Sequence, residues 1–461
     1  MLYRSVMRLR MSLPVFLRKP WILGLACVLL PGCVAYHPKP LPDDPDLISA
    51  QRMASARAEL DAGHDTRAEP FDMVEAVQFA LAHNPDLRAQ RAQQAIAAAQ
   101  LSATRPYADP QLTASGDRPA SHQPDLVNGF NVGLGYDLQS LFSYAPNRDA
   151  AKANARQAKF TLLWQEWQTA QQARMLYARH DAEQKSLALY QSEIDALKTQ
   201  SDAAQAALAR GDIDAVAAGN DGASLADMQT RLGQLQQQHT ATAHELSALL
   251  GIRPDALPTL KPLAAPETFD AEALKDRAND IARQRPDLLA LQAGYASEEA
   301  RLRKEILAQF PSIGIGVSRA RDTSAVVSNG LSISLNFPIF TGNRPAIAQE
   351  EATRDQLHAE YRARLASAQI DSDRLLALQQ QIETRRREVM DRLPRLRQAA
   401  VGATRAFERA DIDGRAYHTA QLAWINARIE QIDLERAAWE NRIAIEVALG
   451  WSPASSRQAQ D

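Results

Sequence analysis

His244-Glu245-Leu-Ser-Ala holds the first half of a zinc-protease helix motif but lacks its second histidine. His239 falls on an apolar helical stripe with no cluster of ligands around it, so packing in a core or interface outweighs metal ligation. Gly133-Leu-Gly135 and Gly314-Ile-Gly316 have no phosphate-loop context. They stand in alternating stretches, where glycine keeps one face of a strand small. There is no nucleophile elbow and no Cys/His pairing. The expectation is a protein that is not an enzyme and holds no cofactor and no metal. Two carboxylate pairs remain, Asp212 with Asp214 and Asp411 with Asp413. Each stands where a long helical stretch breaks and turns back, and Asp before a helix is a favoured N-cap.

Strands and helices must position these groups. Pro311–Phe340 holds two runs of strict alternation: Ile313, Ile315 and Val317, then Leu331, Ile333, Leu335 and Phe337. Period two means β-strand, here with one apolar face and one small polar face. The polar, turn-rich stretch between the runs makes the pair a hairpin. Long segments rich in Ala, Gln, Arg, Glu and Leu flank it, a composition for long helices in close contact. Two strands alone are marginal, so the hairpin makes sense as part of a larger wall.

A formal net charge of −3 over 461 residues leaves no basic footprint for nucleic acid. Arg4, Arg8, Arg10, Arg18 and Lys19 precede the apolar run Trp21–Leu30, the pattern of a signal peptide over residues 1–32. Leu30-Pro31-Gly32-Cys33 resembles a bacterial lipobox, whose cysteine becomes the lipidated first residue. Pro31 departs from the small or β-branched residue usual there. An ordinary signal peptide or an uncleaved anchor is the alternative. Cleavage before Cys33 would remove Cys27 and leave no disulfide. Val34 rather than Asp follows, which resembles an outer-membrane address. No later run is apolar enough for a transmembrane helix, so any later crossing must use strands.

The body is written twice. Asn84-Pro-Asp-Leu matches Arg285-Pro-Asp-Leu, Pro110 matches Pro311, and Gly129–Tyr136 matches Gly330–Phe337, all at an offset of 201. Gly211-Asp-Ile-Asp matches Ala410-Asp-Ile-Asp, and Leu250-Gly251 matches Leu449-Gly450, at an offset of 199. After a lipidated arm over 33–70, the repeats occupy 71–252 and 253–451, with a tail at 452–461. Each repeat is read as a helix, a hairpin, a very long helix and a return helix. The expected strands are Gln111–Gly116 with Phe130–Leu138, and Ser312–Val317 with Leu331–Ile339. The long helices are expected over Arg148–Ala209 and Pro345–Arg409, the second kinked at Pro394. Leu225, Met228, Leu232, Leu235, His239, Thr242, Leu246 and Leu249 keep coiled-coil spacing along the first return helix. Two adjacent stripes on the second, Leu422 to Ile432 and Trp424 to Ala438, imply neighbours on both sides.

Four strands with a lipid-compatible face cannot close a barrel alone, and open edges cannot face lipid, so several chains must pool strands. Over roughly residues 70–451 the sequence resembles the outer membrane factor (TolC-like) family of bacterial efflux channels. The duplication, the two Pro-Asp-Leu helix starts, the Pro311 hairpin with Phe337-Pro338-Ile339-Phe340, and the terminal Leu-Gly pairs carry the likeness. That resemblance implies a mainly α fold with a small β part. It further implies a homotrimer forming a twelve-stranded outer-membrane β-barrel on a long periplasmic α-helical barrel. It implies a periplasmic adaptor and an inner-membrane pump as partners, and Cys33 fits the lipoprotein members. The chain would then be a passive duct for small solutes such as drugs or metal ions. The family's gating carboxylates do not carry over by motif, because Ala215–Asn220 and Arg415–His418 differ from its usual pattern. The local gate candidates are Asp212, Asp214, Asp411 and Asp413, which three-fold symmetry would turn into rings. A type I protein-secretion channel would share these features. A structural periplasmic coiled-coil lipoprotein would share only the anchor and the heptads.

Overall fold

The structure is a computed structural model of the chain and describes residues 36–60, 70–120, 125–266 and 280–450. The signal segment, Cys33 and the tail expected at 452–461 lie outside the described residues. Residues 36–47 form a unit of their own, without helix or strand.

The second unit runs from Ile48. It holds α1 (Ala50–Leu60), α2 (Met73–His83), α3 (Pro85–Ala103), β1 (Gln111–Asp117), β2 (Gly129–Asp137), α4 (Gln139–Arg210) and α5 (Ala215–Leu250). There follow α6 (Ile281–Gln284), α7 (Pro286–Leu307), β3 (Ser312–Arg321), β4 (Val327–Asn336), α8 (Arg344–Glu408) and α9 (Gly414–Leu449). The series helix, hairpin, long helix and return helix thus occurs twice. At 1.5 Å per residue, the 72 residues of α4 span about 108 Å.

The expected bounds shift in three places. Strands β3 and β4 extend to Arg321 and begin at Val327, because Arg319↔Asn329 and Arg321↔Val327 continue the ladder through polar residues. The turn is only 322–326, where the Asp322 carboxylate accepts from the Ser324 and Val326 amides at 2.9 and 3.0 Å. Strand β4 stops at Asn336 rather than Ile339, two residues before Pro338, which has no N–H to offer a ladder. Helix α4 starts at Gln139, nine residues before the expected Arg148, and runs through a buried Pro146. Helix α8 likewise continues through Pro394 without a break.

The Pro-Asp-Leu and Leu-Gly motifs meet in space. Asn84 Oδ1 accepts from the Leu87 amide at 3.0 Å and so caps α3, while Asn84 Nδ2 donates to Leu249 O at 2.9 Å. Arg285, its counterpart in the second repeat, donates to Ala448 O at 3.2 Å and forks onto Asp287 at 3.0 and 2.8 Å. Each return helix therefore ends against the start of its own repeat's short helix. A Cβ on Gly251 would lie 2.5 Å from His83 O, and its φ of +68° also requires glycine.

Two apolar clusters sit at this level. One gathers Phe71, Phe79, Tyr177, Leu246, Leu250 and Ile252, and the other Ile281, Leu288, Leu375, Ile445 and Leu449. The arm and the inter-repeat connector join the first through parallel bridges Ile48↔Ile252 and Phe71↔Leu260. The buried Tyr177 hydroxyl donates its proton between Phe71 O and Lys261 O, each at 2.7 Å, and so ties both segments to α4. Tyr177→Phe should destabilise the protein by about 1–3 kcal/mol, since the hydroxyl is lost from buried carbonyls. Thermal unfolding in detergent checks this, and an unchanged midpoint would show that the hydroxyl is not the tie.

Candidate channel wall and tip

All four strands form one antiparallel sheet in the order β1-β2-β3-β4. The two repeats join at β2–β3, where Leu134 pairs with Val317 and Tyr136 with Ile315. Directly paired residues share a face. One face therefore carries Leu112; Phe130, Val132, Leu134 and Tyr136; Ile313, Ile315 and Val317; and Leu331, Ile333 and Leu335. The other carries Thr113, Ser115, Gly133, Gly135, Gly314, Gly316, Ser318, Ser332 and Ser334. The apolar face is bare: Leu112, Leu331 and Ile333 are 73%, 78% and 67% exposed. The small face is close-packed: a Cβ on Gly314 would come 2.4 Å from Ser334 Oγ, so that hydroxyl would have to turn away. Among the described residues, strands β1 and β4 each have one neighbouring strand and leave a free edge.

The helices repeat this plan. Helix α5 packs on α4, α4 on α9, and α9 on α8, giving a layer in the order α5-α4-α9-α8. Helices α3 and α7 brace it, α3 against α4 and α7 against both α4 and α8. Both stripes of α9 are covered, with Ile425, Ala427, Ile432 and Ala438 buried. Edge helix α8 leaves Ile370 and Met390 66% and 55% exposed.

At the turn between α4 and α5, Arg210 Nε donates to Asp212 at 2.8 Å. At the equivalent turn before α9, Arg409 Nε donates to Asp411 at 2.9 Å, and Asp413 caps α9 by accepting from the Ala416 amide at 2.8 Å. Asp214 holds the corresponding position before α5. The two roles are thus divided: Asp413 caps, whereas Asp212 and Asp411 are exposed acids, each held by an arginine two residues earlier. Sequence reasoning missed those arginines. The repeated order Arg210-Gly-Asp212 and Arg409-Ala-Asp411 was the available signal.

His239 packs inside the wall, its ring centroid 4.3 Å from that of His180 and its Nδ1 3.6 Å from Glu183 Oε2. Thr242 donates to the other Glu183 oxygen at 3.0 Å. Burial pushes the His180 imidazole down to about 4, and neighbouring His239 adds to the shift. Burial also raises the Glu183 carboxyl, against opposing pulls from Thr242, His239 and Arg179. Among the described residues no three His, Cys, Asp or Glu side chains are grouped to hold a metal ion. No described helix is long and apolar enough to cross a membrane.

No family model matches the chain, and no curated protein matches it in sequence. Solved structures do match. The Campylobacter jejuni CmeC outer membrane channel aligns over 93% of this chain and 93% of its own, at TM-score 0.72 and 14% identity. The outer-membrane channel OprN aligns over 91% and 99%, at TM-score 0.70 and 17% identity. CusC, described for its folding and transmembrane channel formation, aligns over 91% and 100%, at TM-score 0.66 and 18% identity. The chain has the fold of these outer-membrane channels. The TolC-like fold expected from the duplication and the hairpins is therefore correct: mainly helical, with a four-stranded antiparallel sheet. Near-complete coverage extends the likeness to both repeats.

The His180 cluster has a pH signature. An unfolded histidine takes up a proton near pH 6.5, whereas folded His180 resists until about 4. Acid therefore favours the unfolded chain, and the stability tied to neutral His180 is lost as pH falls between those values. His180→Gln should gain on the wild type by up to about 1.4 kcal/mol per pH unit across that window. Chemical denaturation at pH 7 and pH 5 checks this; a stability gap that does not change with pH would contradict it.

Proposed function

We propose that this chain is the outer-membrane channel of a tripartite efflux system. In this reading three copies pool four strands each into a twelve-stranded barrel, with the apolar face toward lipid and the glycine- and serine-rich face toward water. The α5-α4-α9-α8 layers of the three copies close into a periplasmic duct. A lipid on Cys33 adds an anchor in the outer membrane. The duct passes small solutes, drugs or metal ions, handed over by a periplasmic adaptor and an inner-membrane pump. The observation that carries this reading is the sheet: a bare apolar face, a small polar face and two free edges. Lipid tolerates no free edge, so further copies must cover it.

Particle mass in detergent should correspond to three chains, and the purified particle should form conducting channels in planar bilayers. A stable monomer, or a trimer that never conducts, would overturn the reading. Labelled palmitate should enter the wild type and be absent from Cys33→Ala.

In the trimer Asp212, Asp214, Asp411 and Asp413 form rings around the periplasmic mouth, and like charges there attract cations. Arg210 and Arg409 partly offset Asp212 and Asp411. Asp411→Asn with Asp413→Asn keeps the capping oxygen and removes charge, so it should lower cation selectivity and weaken block by a trivalent cation. Arg210→Gln with Arg409→Gln should do the opposite. Single-channel recordings in which neither double variant moves selectivity would leave the carboxylates with capping alone.

A further inference from the structure

The sheet distributes its charges unequally between its two faces. Its only acidic residues, Asp117 and Asp137, pair with Gly129 and Gly314 and so lie on the small polar face. Its only basic residues, Arg319 and Arg321, lie on the apolar face. Arg319 is flanked by Val132 and Asn329, and Arg321 by Phe130 and Val327. Both stand beyond the apolar rows of Ile313, Ile315 and Val317, at the end of the sheet away from the helices. Alternation places their Cα atoms about 7 Å apart on one strand.

Their surroundings differ. Arg321 donates to Asn128 O at 2.8 Å, and its guanidinium lies 5.5 Å from the Phe130 ring centroid, which fixes the side chain against the sheet. The Arg319 side chain is exposed and makes no hydrogen bond or ion pair among the described residues. The nearest acid in sequence, Asp322, is occupied by the Ser324 and Val326 amides. Two cations at the edge of an apolar band, one of them beside the Phe130 ring, have no acid on their own face of the sheet to neutralise them. An arginine facing lipid costs little only near the bilayer surface, where it reaches headgroups.

We propose that Arg319 and Arg321 form a binding site for the net-anionic, phosphate-bearing headgroup of an outer-leaflet lipid. The acyl chains lie along Val317, Leu331 and Ile315, and the guanidinium groups take the phosphates. Guanidinium is the side chain suited to this, because its planar fork gives two parallel hydrogen bonds to one phosphate. The site rests on the channel reading, which turns this face to lipid. It adds to that reading the class of lipid the barrel selects and the strand that selects it.

The test uses the full-length channel, wild type and Arg319→Gln with Arg321→Gln, each checked for conductance in planar bilayers. Each is then mixed in detergent with lipid A, a diphosphorylated glycolipid, or with phosphatidylcholine, and retained lipid is counted by native mass spectrometry. Each arginine beside an anionic headgroup contributes about fivefold in affinity, so the double variant should bind lipid A about 25-fold more weakly. It should bind phosphatidylcholine unchanged and conduct normally. Equal retention of lipid A by two conducting proteins would overturn the site and leave the channel intact. Displacement of lipid A by inorganic phosphate would reduce the site to a simple anion site and also overturn the proposal. A wild type that neither conducts nor inserts would overturn the channel reading and the site with it.

Discussion

Strands β1 and β4 each present a row of backbone N–H and C=O groups that no described part of the chain pairs. In water such an edge is a liability, and in a bilayer it is forbidden, because each unmet group costs several kcal/mol. The sheet cannot escape this by turning its edges to solvent, since its apolar face is also bare. The helical layer faces the same demand in milder form: α5 and α8 end it, and Ile370 and Met390 on α8 are more than half exposed. Both layers are thus open at both ends, and one rotational assembly of copies would close both.

The duplication explains how one chain supplies such a wall. Each repeat contributes one hairpin to the sheet and one long-and-return helix pair to the layer. The joints β2–β3 and α4–α9 lie between repeats inside one chain. Asn84 and Arg285 show how the two copies hold the same local geometry with different chemistry. An amide does both jobs in the first repeat, whereas the second uses an arginine bound to the last turn of α9 and to Asp287.

Much of this could be read from the chain because alternation and repetition are local or self-referential signals. Ile313-Gly-Ile-Gly-Val317 can serve only as a two-faced strand, and a constant offset needs no structure to be seen. The features that escaped have physical reasons. The long helix is expected from Arg148, yet α4 begins at Gln139 and takes up Pro146 as a buried residue inside it. Arg319 to Arg321 and Val327 to Gly330 looked like loop because polar residues interrupt the apolar pattern. They are strand because their partners continue the ladder. At the tip the Asp pairs were visible but their division of labour was not. Whether an Asp caps or pairs depends on where its carboxylate reaches: Asp413 reaches the Ala416 amide and Asp411 reaches Arg409.

The dependence on closed edges can be measured directly by hydrogen exchange on the assembled protein in lipid. If copies pair β1 and β4 edge to edge, the outward amides of these strands should exchange as slowly as those of β2 and β3. Fast exchange confined to β1 and β4, beside a protected β2 and β3, would mean an open four-stranded sheet and would contradict the account.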